Sequence, residues 1–187
     1  MATKTISRLF DNHDDALAAV RDLEAAGFSA ADIGIAAANE DNRYTSVADK
    51  EEAKSGAGVG ATVGTLVGGG AGLAAALGAL AIPGFGPIVA AGVLAATLTG
   101  AGAGAAAGGI IGSLTGLGIS ESEAHVYAEG IRRGGSLVTV KIDDSRELEA
   151  RTILDRYSYV DLAAREADYR ASGWTGYVET PDRPIGR

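Results

Sequence analysis

The sequence predicts a small α+β sandwich of ferredoxin-like type, ordered βαβ-αβαβ and interrupted by a long glycine-zippered helical hairpin. Three observations carry that prediction. Charged residues make up 21% of the 187-residue chain, yet none stands between Lys54 and Glu121, so charge is confined to two flanks. Each flank alternates strand-like and helix-like apolar patterns. Through the uncharged stretch, glycine recurs at every fourth position, which is a helix ridge stripped of side chains.

Thr3 to Phe10 reads as the first strand, with Ile6, Arg8 and Phe10 on one face and Thr5, Ser7 and Leu9 on the other. Asp11 or Asn12 caps the following helix, since a short side-chain oxygen accepts a backbone N–H left unpaired in the first turn. Leu17, Val20 and Leu23 recur at helical spacing, and Gly27 supplies the left-handed residue that ends such a helix. Asp32 to Ala38, with Ile33 and Ile35, is a second strand, and a polar link runs from Asn39 to Lys54. Residues 1–49 are therefore the first part of the αβ domain.

Beyond the uncharged stretch, Ser120 and Glu123 have the spacing of a capping box, each side chain satisfying the other residue's free N–H. The helix they open carries Val126, Tyr127 and Ile131 and stops at Gly134-Gly135. Leu137, Val138, Val140 and Ile142 form the most strand-like run, expected at the centre of the sheet. Asp144 and Glu147 repeat the capping-box spacing before a helix with Leu148, Ile153 and Leu154, and Val160, Leu162 and Ala164 alternate as a last strand. Residues 120–166 complete the αβ domain. From 167 to 187, Pro181, Pro184 and scattered charges without a period predict an extended or disordered tail. Within it Trp174, Tyr169 and Tyr177 suit an interfacial anchor or a peptide that docks on a neighbouring subunit.

The insertion, residues 50–119, is read as two helices at about 55–82 and 88–117. Gly56, Gly60, Gly64, Gly68 and Gly72 mark one row, continued by Ala76. Pro83, Gly84, Gly86 and Pro87 make a proline-flanked turn over 83–87, after which Gly92, Ala96, Gly100, Gly104, Gly108, Gly112 and Gly116 resume the row. Residues four apart share a helix face, and a face without side chains lets another backbone come close enough for dispersion contacts and weak Cα–H···O bonds. Each helix would be about 40–45 Å long at 1.5 Å per residue, more than a bilayer core requires. In water each interior glycine costs a helix about 1 kcal/mol relative to alanine, so the hairpin needs lipid or packed protein around it. A polar Gly/Ser linker is a poor reading, because Leu66, Leu73, Leu77, Ile88, Val89 and Ile110 punctuate the segment.

Several chemistries are excluded on composition. A net charge of −8 argues against nucleic acid, which needs a basic stripe to displace phosphate counterions. With no cysteine there is no thiolate nucleophile, disulfide framework or soft metal ligand set. The start, Met1 to Asn12, lacks the apolar run of a signal peptide. Gly70, Gly72 and Ala75, or Gly102, Gly104 and Ala107, approach a dinucleotide fingerprint but lack the preceding strand and the following acidic residue. His13 fits a charged helix start better than a calcium loop, and His125 has no second histidine at metal-pair spacing. The expectation is a non-enzyme with no catalytic residue, cofactor, metal or small-molecule substrate. Arg132 and Arg133 serve either lipid phosphates or the dipole at the end of their helix.

Leu9-Phe10-Asp11-Asn12, Gly27-Phe28-Ser29 before Asp32-Ile33, Ala81-Ile82-Pro83-Gly84-Phe85-Gly86-Pro87, Gly118-Ile119-Ser120-Glu121, and Tyr127 to Gly130 leading into Gly134-Gly135-Ser136-Leu137-Val138 occur in one order along the chain. In that order they resemble the bacterial heat-induced general stress proteins of the YflT-like type, over about residues 4 to 166. The resemblance implies a stress-associated bacterial protein whose αβ domain holds an inserted glycine-zipper hairpin, with no catalytic residues to carry over. The expected partners are a second copy of the chain and a lipid bilayer or bound lipid. The leading expectation places the hairpin in the inner membrane with the αβ domain on the cytoplasmic side; the alternative is a cytoplasmic homo-oligomeric particle with hairpins packed inside.

Overall fold

A computed structural model describes residues 3–39, 78–82, 86–98 and 105–177, with backbone alone for 78–82, 86–87 and 105–108. The elements are β1 (Thr3–Phe10), α1 (His13–Ala25), β2 (Ile33–Ala38), β3 (Gly78–Ile82), β4 (Gly86–Ala91), α2 (Gly92–Leu98), α3 (Ala105–Gly116), α4 (Glu121–Arg132), β5 (Ser136–Asp143), α5 (Glu147–Leu154) and α6 (Leu162–Ala171). One five-stranded sheet, ordered β1-β5-β2-β4-β3, pairs antiparallel throughout. The fold is therefore mixed α and β around an antiparallel sheet.

β5, expected at the centre, is an interior strand between β1 and β2, while the centre of the five-stranded sheet is β2, because the edge hairpin of β4 and β3 adds two strands beyond it. Ile6 stands opposite Val140, and Ile33 opposite the same residue from the other side. Because β1 and β2 both oppose β5, they run in the same direction, and α1 is the crossover joining them. This is a split βαβ unit. Alternation in the strands sends Ile6, Phe10, Ile33, Ile35, Val138 and Val140 to one face and Leu9, Ala36, Ile88 and Leu137 to the other. α1 and α5 cover the first face through Val20, Leu23, Ile153 and Leu154. α2, α3 and α4 cover the second through Leu94, Ile110, Leu114, Tyr127 and Ile131. Three layers result, in place of the two of the predicted sandwich.

Local signals account for the outer elements. Asn12 caps α1 by accepting from the Asp14 N–H, and Gly27 leaves the helix at φ +82°. Ser120 and Glu123 form the capping box of α4, which ends before Gly134 at φ +96°. The second predicted box does not form. Asp144 lies in a short 3-10 turn, and Glu147 bonds Lys4 and Arg151 instead. A charged partner from β1 competes there with the backbone.

The hairpin prediction is corrected where it can be tested. Residues 78–82 and 88–91, expected at the ends of two long helices, and 86–87, expected in the turn, form the strands of an edge hairpin. Ala36 pairs with Ala90, and Ala38 with Ile88, so β4 extends the sheet from β2. The Ile88-Val89 pair favours strand, and Pro87 lies beyond the last β2 rung, where its missing N–H breaks no bond to β2. Gly86 and Pro87 therefore belong to β4, while Pro83 and Gly84 fall outside the described residues. The predicted 88–117 helix becomes α2 and α3, and the predicted 55–82 helix before residue 78 lies outside the described residues. Among the described residues no helix is long and apolar enough to cross a membrane.

The last predicted strand is also corrected. Asp161 accepts from the Ala164 N–H and opens α6 at Leu162, so Leu162 and Ala164 are helical. What remains of the strand is a bridge from Tyr159 to Phe10 and a bond from the Val160 N–H to the Leu9 carbonyl. The alternation Val160, Leu162, Ala164 was outweighed by a capping aspartate followed by helix formers. The tail, expected to be extended or disordered from 167, continues α6 to Ala171 and stays folded through Tyr177, which is buried.

Candidate functional site

The glycine row divides between two uses. Gly92 sits at φ +63° where β4 passes into α2, and a Cβ there would lie 1.9 Å from the Ile33 carbonyl oxygen. Its bridge partner is Gly34, where a Cβ would meet Thr139 Oγ1 at 2.7 Å and the Leu94 backbone nitrogen at 2.8 Å. Close approach at Gly92 therefore serves the sheet and not a second helix. Gly108, Gly112 and Gly116 lie on α3. The buried face of α3 is Ile110, Ser113, Leu114 and then Leu117, with the Ser113 hydroxyl donating to Gly109 and Thr97 carbonyls. At 3.6 residues per turn Gly112 stands roughly 160° around the helix from Leu114. Gly112 is half-buried and Gly116 exposed, so this part of the row turns away from the domain's own core. Gly56, Gly60, Gly64, Gly68, Gly72, Gly100 and Gly104 fall outside the described residues.

Arg132 and Arg133 are brought together on one carboxylate. Glu129, with 2% of its side chain exposed, accepts from Arg132 Nη2 at 2.6 Å and from Arg133 Nε at 2.6 Å. Burial alone would raise the Glu129 carboxyl, but the two arginine hydrogen bonds outweigh it and hold the group below its ordinary range. The Arg133 guanidinium also lies over the Tyr169 ring, 4.4 Å from its centroid. Both arginines remain nearly half exposed. They are thus engaged within the fold at the end of α4, and any lipid phosphate would have to share them with Glu129. Sequence reasoning passed over Glu129, although its spacing of three and four from the arginines is that of helix ion pairs.

A second cluster was not foreseen. Arg165 on α6 makes two bonds to the Asp11 carboxylate, at 2.9 and 2.6 Å, and that partner draws the Asp11 carboxyl below its ordinary range. Tyr169 meets Trp174 edge to face with ring centroids 5.7 Å apart. His125 faces the same segment, since a Cβ at Gly176 would come within 3.9 Å of its Nδ1.

His13 and Tyr127 each make a hydrogen bond within the domain. His13 Nδ1 lies 2.8 Å from Ser136 Oγ, but Ser136 has no exposed surface on which a substrate could reach its hydroxyl. Burial pushes the His13 imidazole down against the opposing influence of Asp14. The Tyr127 hydroxyl donates to the Ser7 carbonyl, and burial pushes that phenol up to about 12. Among the described residues no three metal-ligating side chains converge. An open groove of about 660 Å³ runs between α1 and α5, lined by Asp22, Ala26, Leu148, Thr152 and Arg156, with Leu148 77% exposed.

The fold and these clusters define a mixed αβ protein built on an antiparallel sheet. No family model, curated protein or solved structure matches the chain.

Proposed function

We propose that this is a non-enzymatic assembly protein of the bacterial stress response, in which the glycine row on α3 packs against a second glycine-lined helix and so joins copies of the chain. The observation that supports it is the placement of Gly112, half-buried, and Gly116, exposed, on the side of α3 away from Leu114. A row without side chains in that position gains dispersion contacts only when another backbone covers it. On this reading the covering row is the glycine row of a neighbouring copy, which keeps the zipper reading without the two long helices first expected. On this reading the αβ part keeps a ferredoxin-like core in β1-α1-β2 and β5, widened by the edge hairpin. The resemblance to heat-induced general stress proteins supplies the stress association.

Bilayer insertion is a second reading, favoured by the absence of charge between Lys54 and Glu121. It places the αβ part on the cytoplasmic side of the inner membrane. One experiment separates the two. Untagged protein is expressed, membranes are washed with alkaline carbonate, and soluble material is sized by light scattering. A large soluble particle that shrinks on Gly64→Leu or Gly112→Leu supports assembly; retention in the washed pellet supports insertion. A monomer in the soluble fraction, unchanged by either substitution, would sink both.

A further inference from the structure

We propose that residues 161–177, α6 with the segment after it, form a detachable clasp whose seat on α4 accepts the same segment from a second copy, so that copies exchange clasps. This inference does not rest on the glycine row. The clasp is a unit of its own: Asp161 caps α6 from within, and Gly173 at φ +88° closes its C-terminal end, so the helix carries its own caps when it lifts. It packs on α4, and Tyr169 is its one buried side chain within α6.

Its attachments are few. At one end Arg165 grips Asp11, whose side chain is 64% exposed, so the pair is screened by solvent. In the middle Tyr169 lies under Arg133, and beyond it come Trp174 and Tyr177. The fit beneath it is incomplete. Among the described residues Trp174 Nε1 and His125 Nδ1 are buried without a hydrogen-bond partner, and each such atom weakens the closed state. Few attachments and unsatisfied polar atoms mark a segment that opens before the rest of the domain.

The vacated seat specifies its occupant. Arg133 needs an aromatic face, Asp11 a guanidinium placed to meet both oxygens, and the second apolar cluster an indole and a phenol. Residues 161–177 of another copy supply all of these in the right order, and an exchange remakes every contact it breaks. The hinge is the stretch from Asp155 to Asp161, about seven residues and able to extend roughly 23–25 Å. Asp155 is held by Arg8 and the Tyr157 hydroxyl donates to Asp22, so the part that must open is pinned by the Val160 N–H bond to Leu9 and the Tyr159 bridge to Phe10.

Charge reversal tests this directly in the full-length chain. In Arg165→Asp two acids face each other at the seat, and in Asp11→Arg two guanidiniums do. Mixed, the two variants restore both ion pairs only by exchanging clasps. Trp174 is the single tryptophan, so its fluorescence reports the seat alone. Each variant by itself should show red-shifted emission and at least twofold greater acrylamide quenching, with an unchanged far-ultraviolet spectrum. The mixture should recover the native emission and a mass one protomer larger, and the double variant Asp11→Arg/Arg165→Asp should recover emission without a partner. A mixture that behaves as the sum of its components would overturn the exchange. Native emission in both single variants, or global unfolding of either, would overturn the detachable clasp itself.

Discussion

Replacing Gly92 by alanine tests whether the uncharged insertion is an integral part of the domain. The added Cβ would stand 1.9 Å from the Ile33 carbonyl oxygen and 3.1 Å from that of Ala30, both backbone atoms that no side-chain rotation can move. The residue would also keep φ at +63°, which costs an L-amino acid about 1–2 kcal/mol. Forcing the strand junction apart adds about 1–3 kcal/mol, so a loss near 3 kcal/mol is expected. For a chain of 187 residues that lowers the melting temperature by roughly 6–12 °C. Gly118→Ala is the control, because its φ is +86° but nothing lies within 4 Å of its Cβ. It should cost only about 1 kcal/mol, or roughly 2–4 °C. Thermal melting followed by circular dichroism decides the matter. If Gly92→Ala melts no lower than Gly118→Ala, β4 and α2 are not seated on β2 and the three-layer description is wrong.

Further tests follow from the packing and the charges. Leu94→Ala, at a fully buried position between α2 and the sheet, should lose about 2–5 kcal/mol in chemical denaturation and leave a single cooperative transition. Glu129 is held below its ordinary 4.5, so the stability it contributes is complete above that value and lost as pH falls through the folded one. Glu129→Gln should therefore cost about 1.5–3 kcal/mol at pH 7 and flatten the acid limb of a stability profile below about pH 4.5. His13 is displaced in the same direction but is a base, so the unfolded chain takes up its proton first. Stability should decline as pH drops below 6.5, and His13→Gln should abolish that decline.

Much of the outer scaffold was legible one element at a time. The helix from Asn12 to Gly27 and the one opened by Ser120 and Glu123 announce themselves through caps and period, because each signal lies within a turn or two of the backbone it satisfies. The run Leu137 to Ile142 showed itself as an interior strand by its branched residues, though the centre of the sheet is β2. The candidate sites were less legible. The glycine row is visible in the sequence, but not that Gly92 meets the Ile33 carbonyl while Gly112 faces away from the core. Glu129 and its two arginines share a spacing, but burial of the carboxylate depends on what packs over α4.

The sequence by itself determined the αβ alternation, the helix ends and the segregation of charge, since these follow from local hydrogen bonding and from which residues water tolerates. The tertiary structure decided what the uncharged stretch became. Alanine, glycine and a few branched residues support a short strand or a helix with nearly equal ease, and the choice fell to the partner available across space. For Ile88 to Ala91 that partner is β2; for Leu94, Ile110 and Leu114 it is the second core. At Leu162 the balance went the other way, because a capping aspartate acts within one turn while a new strand rung must first bring distant segments together.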